Sequence, residues 1–432
     1  MRIVLRRIDK KSITMIKKVL VLFVIFFSFS CETEKANNNV THQMDDQGVV
    51  IAAPYIWKTS LHLQHPVSNS YIKHPIVFNG NIVVPTTDGA NNFSLSMMSS
   101  KEGKILWKWD DVFEKGEYID IAFNYQNNNL LIYLNGGRSY CVNLDNGSTK
   151  WRIRLDRSFD VRINSFDNYF FVYANSMTNN GFNEVVSFKG DSETGIISEF
   201  ITANYSFDCH DCMRGMTHIN QVPNHKNRLV VTYNENLPDW ITQSYFGLYD
   251  VDLQDWVWDK MMIAPPKREN YPYHPPEILN SRIYAEIANS IVCHDLVTGK
   301  QLWKRDFTNG FMFSGFIIED GRLIANNEDC FTVCLDPDTG NELWRVKTAG
   351  TCSIMSYLNG IVYFVGGSVP RFFAIEASTG KIVWKIDAAL LGESYGAQFR
   401  TNAVYVLPAK DDQPAKVVAL SNLYAYCFEA YR

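Results

Sequence analysis

The sequence predicts an all-β protein: a single β-propeller of eight four-stranded antiparallel blades, its ring closed by the N-terminal strand. Three observations carry this expectation. A unit recurs along most of the chain, its copies have a regular spacing, and the two chain ends complement each other.

The unit is clearest at residues 293–306, Cys-His-Asp-Leu-Val-Thr-Gly-Lys-Gln-Leu-Trp-Lys-Arg-Asp. It returns at 334–346 as Cys-Leu-Asp-Pro-Asp-Thr-Gly-Asn-Glu-Leu-Trp-Arg-Val and at 374–386 as Ala-Ile-Glu-Ala-Ser-Thr-Gly-Lys-Ile-Val-Trp-Lys-Ile. Weaker copies end at Trp107 and Trp151. An apolar run, a polar turn built on Gly, and a second run with Trp four residues later spell a β-hairpin. Gly103, Gly147, Gly299, Gly340 and Gly380 hold the turn. Trp107, Trp151, Trp303, Trp344 and Trp384 supply an apolar plate with one N–H donor, suited to packing between neighbouring sheets. Another pair of short apolar runs precedes each hairpin, as at 315–325, so the unit has four strands.

With Gly195 as a degenerate sixth, the turn glycines lie 44, 48, 104, 41 and 40 residues apart. The long interval hides a copy at 248–260, where Trp256 and Trp258 follow a shorter turn. Four strands every ~40–50 residues is the period of a propeller blade. Inner strands are expected near residues 75, 120, 165, 216, 275, 313, 353 and 398. Residues 55–60 supply a lone outer strand with Trp57, and 398–421 supply three strands without a Trp strand. Joined, they close the ring and remove sheet edges. Seven blades is the alternative, if 423–430 forms a fourth strand of its own and one irregular region is not a blade.

The pattern Asp-x-x-Thr-Gly-x-x-x-Trp, complete from Asp295 to Trp303 and from Asp336 to Trp344, resembles the quinoprotein-like (PQQ-repeat) propeller superfamily. That superfamily includes the outer-membrane assembly lipoprotein of the barrel-assembly machinery and the PQQ-dependent alcohol dehydrogenases. The resemblance covers about residues 55–430 and implies the fold, which hosts many roles. A quinone enzyme of this family would carry a vicinal Cys-Cys plate and a Glu, Asn and Asp set for Ca²⁺. This sequence has no adjacent cysteines and no identifiable calcium set. No cofactor or metal is therefore expected, and PQQ enters only with the alternative reading below.

Residues 1–18 carry seven Lys or Arg against Asp9, and 19–30 form an uncharged apolar core followed at once by Cys31. A basic segment, a short apolar segment and small Ser30 before the Cys mark residues 1–30 as a secretory signal. The Ser-Phe-Ser-Cys ending resembles a bacterial lipobox, with Cys31 as the lipidated residue; a cleaved signal with an incidental Cys is the alternative. The apolar run is short of the ~20 residues of a spanning helix. Residues 31–52 read as a flexible tether and 53–432 as the propeller. The net charge is −5, and loss of a leader carrying a net +6 leaves −11, which argues against nucleic acid as a partner.

The least repeat-like segments are an insertion at 234–242 with Trp240, and a Pro- and Tyr-rich loop at 263–276 with Arg268, Glu269, Tyr271, Tyr273 and His274. Among nine cysteines, Cys141, Cys293 and Cys334 occupy a hairpin position that Ala374 and Ala419 fill elsewhere, which reads as a small buried site. Cys209, Cys212, Cys330 and Cys352 fall on turns and crossings at one end of the ring and are candidates for disulfides, Cys209 with Cys212 and Cys330 with Cys352. The Cys209–Cys212 spacing lacks the following His of a haem site, since Met213 stands there. His74 and His274 precede Pro75 and Pro275 at the starts of inner strands, with His218 roughly equivalent. They are candidate ligands at the channel mouth, set against the plainer reading of satisfied surface imidazoles.

No catalytic residues are identified. The expected function is a lipid-anchored, non-enzymatic binding or scaffold protein of the bacterial cell envelope, at the outer membrane, with a protein or glycan partner. The alternative is a quinone- or metal-dependent oxidoreductase working at the channel mouth.

Overall fold

Asp-x-x-Thr-Gly builds a turn by satisfying its own backbone. Around Asp336, the side-chain carboxylate accepts the Thr339 amide at 2.8 Å and the Thr339 hydroxyl at 3.0 Å, while the Gly340 amide donates to the Asp336 carbonyl at 2.8 Å. The same set forms at Asp295, Thr298 and Gly299, and at Asp191, Thr194 and Gly195. These threonine bonds hold all three aspartates below the usual carboxylate range. Gly340 takes φ +70, and one residue of bulge between Cys334 and Leu335 follows in the pairing of the hairpin.

The computed structural model describes residues 55–61, 75–87, 93–112, 122–134, 138–154, 162–166, 169–177, 183–205, 213–219, 227–237, 239, 241–268, 270, 272–310, 315–391, 398–399, 403–410, 412–421 and 423–431. Their strands form eight antiparallel sheets, each a blade: 77–109, 122–154, 162–205, 213–262, 277–306, 316–347 and 356–387, then 405–429 with Trp57–Ser60 as its outer strand. Eight blades, not seven, make the ring. In blade 8, Trp57–Ser60 pairs with Tyr424–Glu429, with Trp57 opposite Cys427. Most inner strands begin within a few residues of the expected positions, but that of blade 8 begins at Tyr405. Blade 8 also corrects a detail. Its three C-terminal strands are Tyr405–Leu407, Lys416–Leu420 and Tyr424–Glu429, so they run past the expected end at 421.

Blades are joined by their outer-strand tryptophans. The indole N–H groups of Trp57, Trp107, Trp151, Trp258, Trp303 and Trp344 each donate to a backbone carbonyl in the next blade, at 2.9–3.1 Å. The acceptors are Ser100, Leu144, Ser192, Leu296, Pro337 and Ala377, all in the turn before the next outer strand. The turn glycine lies against the same indole: a Cβ on Gly103, Gly147, Gly195, Gly340 or Gly380 would stand 2.6–2.7 Å from the ring of Trp57, Trp107, Trp151, Trp303 or Trp344. Gly is thus required twice over, for its backbone angle and for the space. Gly195, read as degenerate, docks like the others.

Two junctions differ. Between blades 4 and 5, Trp258 makes the hydrogen bond while Met261 fills the place against Gly299, because two bulges shift the outer strand of blade 4. Trp384 of blade 7 packs instead against Phe372, Tyr363 and Phe428. Blade 8 meets blade 1 through more than Trp57: the Tyr405 hydroxyl donates to the Val83 carbonyl at 2.6 Å, and Thr59 Oγ1 to that of Gly103 at 2.8 Å.

Directly across the hairpin from Trp151, Trp303, Trp344 and Trp384 stand Cys141, Cys293, Cys334 and Ala374, all fully buried. Cys427, not Ala419, holds this place in blade 8, since Ala419 belongs to the second strand. Burial pushes the thiols of Cys141, Cys293, Cys334 and Cys427 up to about 12.

Gly340 and Gly321 share a left-handed backbone, at φ +70 and +67, yet only Gly340 faces an indole, and Gly321 has open space. In urea denaturation Gly321→Ala should cost about 1–2 kcal/mol from backbone strain alone. Gly340→Ala should cost about 3 kcal/mol or more, because the new methyl overpacks the blade junction as well.

His294 is buried between blades 4 and 5, edge-on to Phe246 at 5.1 Å, with Nδ1 2.9 Å from the Gly299 carbonyl. Burial holds its pKa below the usual imidazole range. The folded state therefore favours neutral His294, and this contribution to stability is complete above the unfolded value of about 6.5 and declines as pH falls below it. Thermal unfolding between pH 8 and pH 5 should show a loss of stability on acidification that is shallower in His294→Gln.

Candidate functional site

Blade 4 departs furthest from the repeat, and the departure is built from polar side chains. Its second and third strands, Arg228–Leu237 and Ile241–Asp250, are ten residues each and pair as far as Leu237 opposite Ile241. The expected insertion is thus an extended hairpin. The crossing to blade 5 returns to this hairpin as a fifth strand, Lys267–Arg268, pairing with Thr242 and Ile241.

Buried groups fasten the crossing in place. The Ser244 hydroxyl donates to the Asn270 carbonyl at 2.7 Å and lies 2.7 Å from Asn234 Oδ1. Gln243 Nε2 donates to the Ala264 carbonyl at 2.8 Å, and Asn270 Nδ2 to that of Pro265 at 2.7 Å. On the inner side, Thr217 Oγ1 donates to the Pro276 carbonyl at 2.6 Å. These bonds replace the backbone partners that a crossing gives up on leaving a sheet.

The fastened crossing delivers His274 to the start of the inner strand of blade 5, Glu277–Leu279. Glu286, buried in the second strand of that blade, organises it. Glu286 Oε1 accepts the backbone amides of Tyr273 at 3.0 Å and His274 at 2.7 Å, and lies 2.8 Å from His274 Nδ1. Gly315, leading into blade 6, sits beside the Cδ2 and Nε2 edge of the imidazole. Two more carboxylates lie on inner strands here, Glu277 in blade 5 and Glu319 in blade 6, and both are exposed. Crowding by protein raises the Glu277 pKa, repulsion from Glu286 and Glu319 adds to it, and His274 opposes.

Of the three imidazoles singled out from sequence, His274 lies before the inner strand Glu277–Leu279 with its Nδ1 against Glu286. His218 lies within the inner strand Met213–Ile219, opposite Leu229, rather than before the strand. His74 lies outside the described residues, as do Cys31, Cys209, Cys212, Trp240, Glu269 and Tyr271. Cys330 lies in the turn between the second and third strands of blade 6 at φ +70, and Cys352 in the crossing to blade 7, where it bridges Gly366; both are buried. Their shared end of the ring also holds Glu328, which accepts the Thr351 hydroxyl at 2.8 Å. Glu286, Ser244 and Asn270 escaped the sequence reading. A charged residue inside the apolar run Ile-Tyr-Ala-Glu-Ile was the one visible signal for Glu286.

A family model described as the outer membrane protein assembly factor BamB matches residues 329–423. Among solved structures, BamB from Moraxella catarrhalis is 12% identical with a TM-score of 0.56, covering 88% of this chain and 99% of that one. The quinohemoprotein alcohol dehydrogenase of Comamonas testosteroni is 10% identical with a TM-score of 0.59, covering 88% of this chain and 77% of its own. Sqt1 of Saccharomyces cerevisiae is 10% identical with a TM-score of 0.61, covering 88% of this chain and all of its own, 100%. No curated protein sequence matches. The chain is an eight-bladed β-propeller that is similar to these proteins in fold.

The quinone chemistry found on such propellers does not fit these residues. The sequence has no vicinal cysteine pair, and among the described residues no group of three or more His, Cys, Asp or Glu side chains is arranged to hold a metal ion. The propeller's clearest departure from the repeat is the braced crossing that follows blade 4.

Ser244→Ala would leave the Asn270 carbonyl without its buried donor, a loss of about 1–3 kcal/mol. Limited proteolysis should then cut the segment 263–276 faster than in the parent protein, while the other blades keep their resistance.

Proposed function

We propose that this propeller is a lipid-anchored, non-enzymatic binding protein of the bacterial cell envelope, held at the outer membrane through Cys31 and engaging a protein partner with the loop-rich end of its ring. The observation that carries the reading is the match of the assembly factor's family model to residues 329–423. The leader at 1–30 supports the location, since a basic segment, an apolar segment and Cys31 in that order suit lipidation after export. The braced crossing of blade 4 supports the choice of surface, because a pre-ordered loop loses little entropy when a partner docks. The dehydrogenases among the structural neighbours share the fold alone, and their chemistry does not pass to residues that lack its donors.

Cell fractionation with crosslinking tests the proposal. The parent protein should sediment with membranes and yield a crosslinked species containing a second envelope protein, and Cys31→Ser should move the chain to the soluble fraction. Reconstitution with PQQ and Ca²⁺ that produced dye reduction would overturn the non-enzymatic reading.

A further inference from the structure

We propose that the end of the ring formed by the turns between third and fourth strands rests on the surface of a phospholipid bilayer, along the arc of blades 3, 4 and 5. The inference builds on the lipid-anchored reading above and adds which way the ring faces.

Topology fixes the end at which the chain enters. In blade 8 the outer strand Trp57–Ser60 has no turn leading into it from the third strand, Tyr424–Glu429, yet the two pair with Trp57 opposite Cys427, and the Ile56 amide donates to the Cys427 carbonyl at 2.7 Å. The residues before Tyr55 thus join the ring where the other blades carry their third-to-fourth turn. The indole hydrogen bonds bring those turns together at one end, because each Trp in the first half of an outer strand donates into the turn of the next blade. The extended hairpin of blade 4, closing between Leu237 and Ile241, lies at the other end. A tether of the length expected for residues 31–52 spans roughly 25 Å. That keeps the ring near its anchor without choosing the face it presents.

The exposed side chains make that choice. Leu253, Ile196 and Val297, in the third-to-fourth turns of blades 4, 3 and 5, are 76%, 72% and 54% exposed. The corresponding turn positions in blades 1, 2, 6 and 7, at 101–104, 145–148, 338–341 and 378–381, hold only polar residues around the glycine. Single apolar residues are ordinary on a soluble surface, whereas these occupy consecutive blades at the end where the chain enters. Tyr169, paired with Asp191 and so at the same end of blade 3, adds an exposed ring with the Lys189 ammonium 3.9 Å from its centroid. Such an aromatic, apolar in its body and polar at its tip, suits a membrane–water interface. The acidic neighbours are already engaged, Glu193 by Lys150 and Asn129, and Asp252 by Asn227. Lys300, exposed in the same turn as Val297, supplies a cation for headgroup phosphates. Each contact is weak alone, but tethering supplies an effective concentration on the order of millimolar, which suffices to hold a weak contact. The loop-rich end is then turned away from the bilayer, toward a protein partner.

Photocrosslinking of the lipidated full chain in vesicles of zwitterionic phospholipid tests the orientation. A benzophenone side chain installed at Leu253 should form adducts with phospholipid, and one installed at Met262, exposed toward the opposite end of the same blade, should form about tenfold fewer. Ile196→Gln together with Val297→Gln should lower the lipid yield at Leu253 by about tenfold and leave the melting temperature unchanged, because both side chains are exposed. Equal lipid yields from the two positions, or an undiminished yield in the double variant, would overturn the inference. So would adducts at Leu253 formed mainly with a second copy of the chain, which would make this face a protein interface. Cys31→Ser tests the underlying reading separately. A Cys31→Ser chain recovered with vesicles as fully as the parent removes the anchor, whereas release of Cys31→Ser beside a parent that gives no lipid adduct at Leu253 removes only the orientation.

Discussion

The structure depends on one contact repeated around the ring: an indole on the outer strand of one blade lies flat against the turn glycine of the next and donates its N–H to a carbonyl in that turn. A four-stranded sheet with two apolar faces is unstable alone in water. The indole contact supplies burial, a satisfied donor and a fixed orientation at once, and so sets the angle at which successive sheets stack. Because the glycine must both turn left-handed and leave space for the ring, a sequence that keeps the Gly-to-Trp spacing keeps the blade geometry. The buried residues across the hairpin, Cys141, Cys293, Cys334 and Cys427, with Met97 opposite Trp107, back the indoles from within their own blades.

This is why the fold could be read from the chain. Each copy of Asp-x-x-Thr-Gly-x-x-x-Trp carries its own turn, bulge and docking plate, and the contact it makes is with the next copy rather than with a distant surface. Trp57 reveals its partner strand for the same reason: it is an indole without a hairpin of its own. Where the device weakens, the reading weakened too. Ala419 was matched to the wrong strand because blade 8 has no turn glycine to set the frame, and the split role of Trp258 and Met261 depends on bulges that sequence spacing does not express.

The candidate site was less legible because its residues come from unrelated positions. Glu286 matters through two amides and a ring nitrogen of the loop before its own blade, and Ser244 through a carbonyl 26 residues later. No period announces such pairs. What the chain did announce was where the repeat lapses, and both lapses, the extended hairpin and the crossing at 263–276, meet where Lys267–Arg268 pairs with Ile241 and Thr242.

Hydrogen exchange at the indole N–H groups tests the ring most directly. The account predicts that the indole protons of Trp57, Trp107, Trp151, Trp258, Trp303 and Trp344 exchange slowly and lose their protection together, in one cooperative unfolding step, because each blade is seated on its neighbour and the last is seated on the first. Exchange of these protons at the rate of free tryptophan, or protection lost from Trp57 inward one blade at a time, would contradict it.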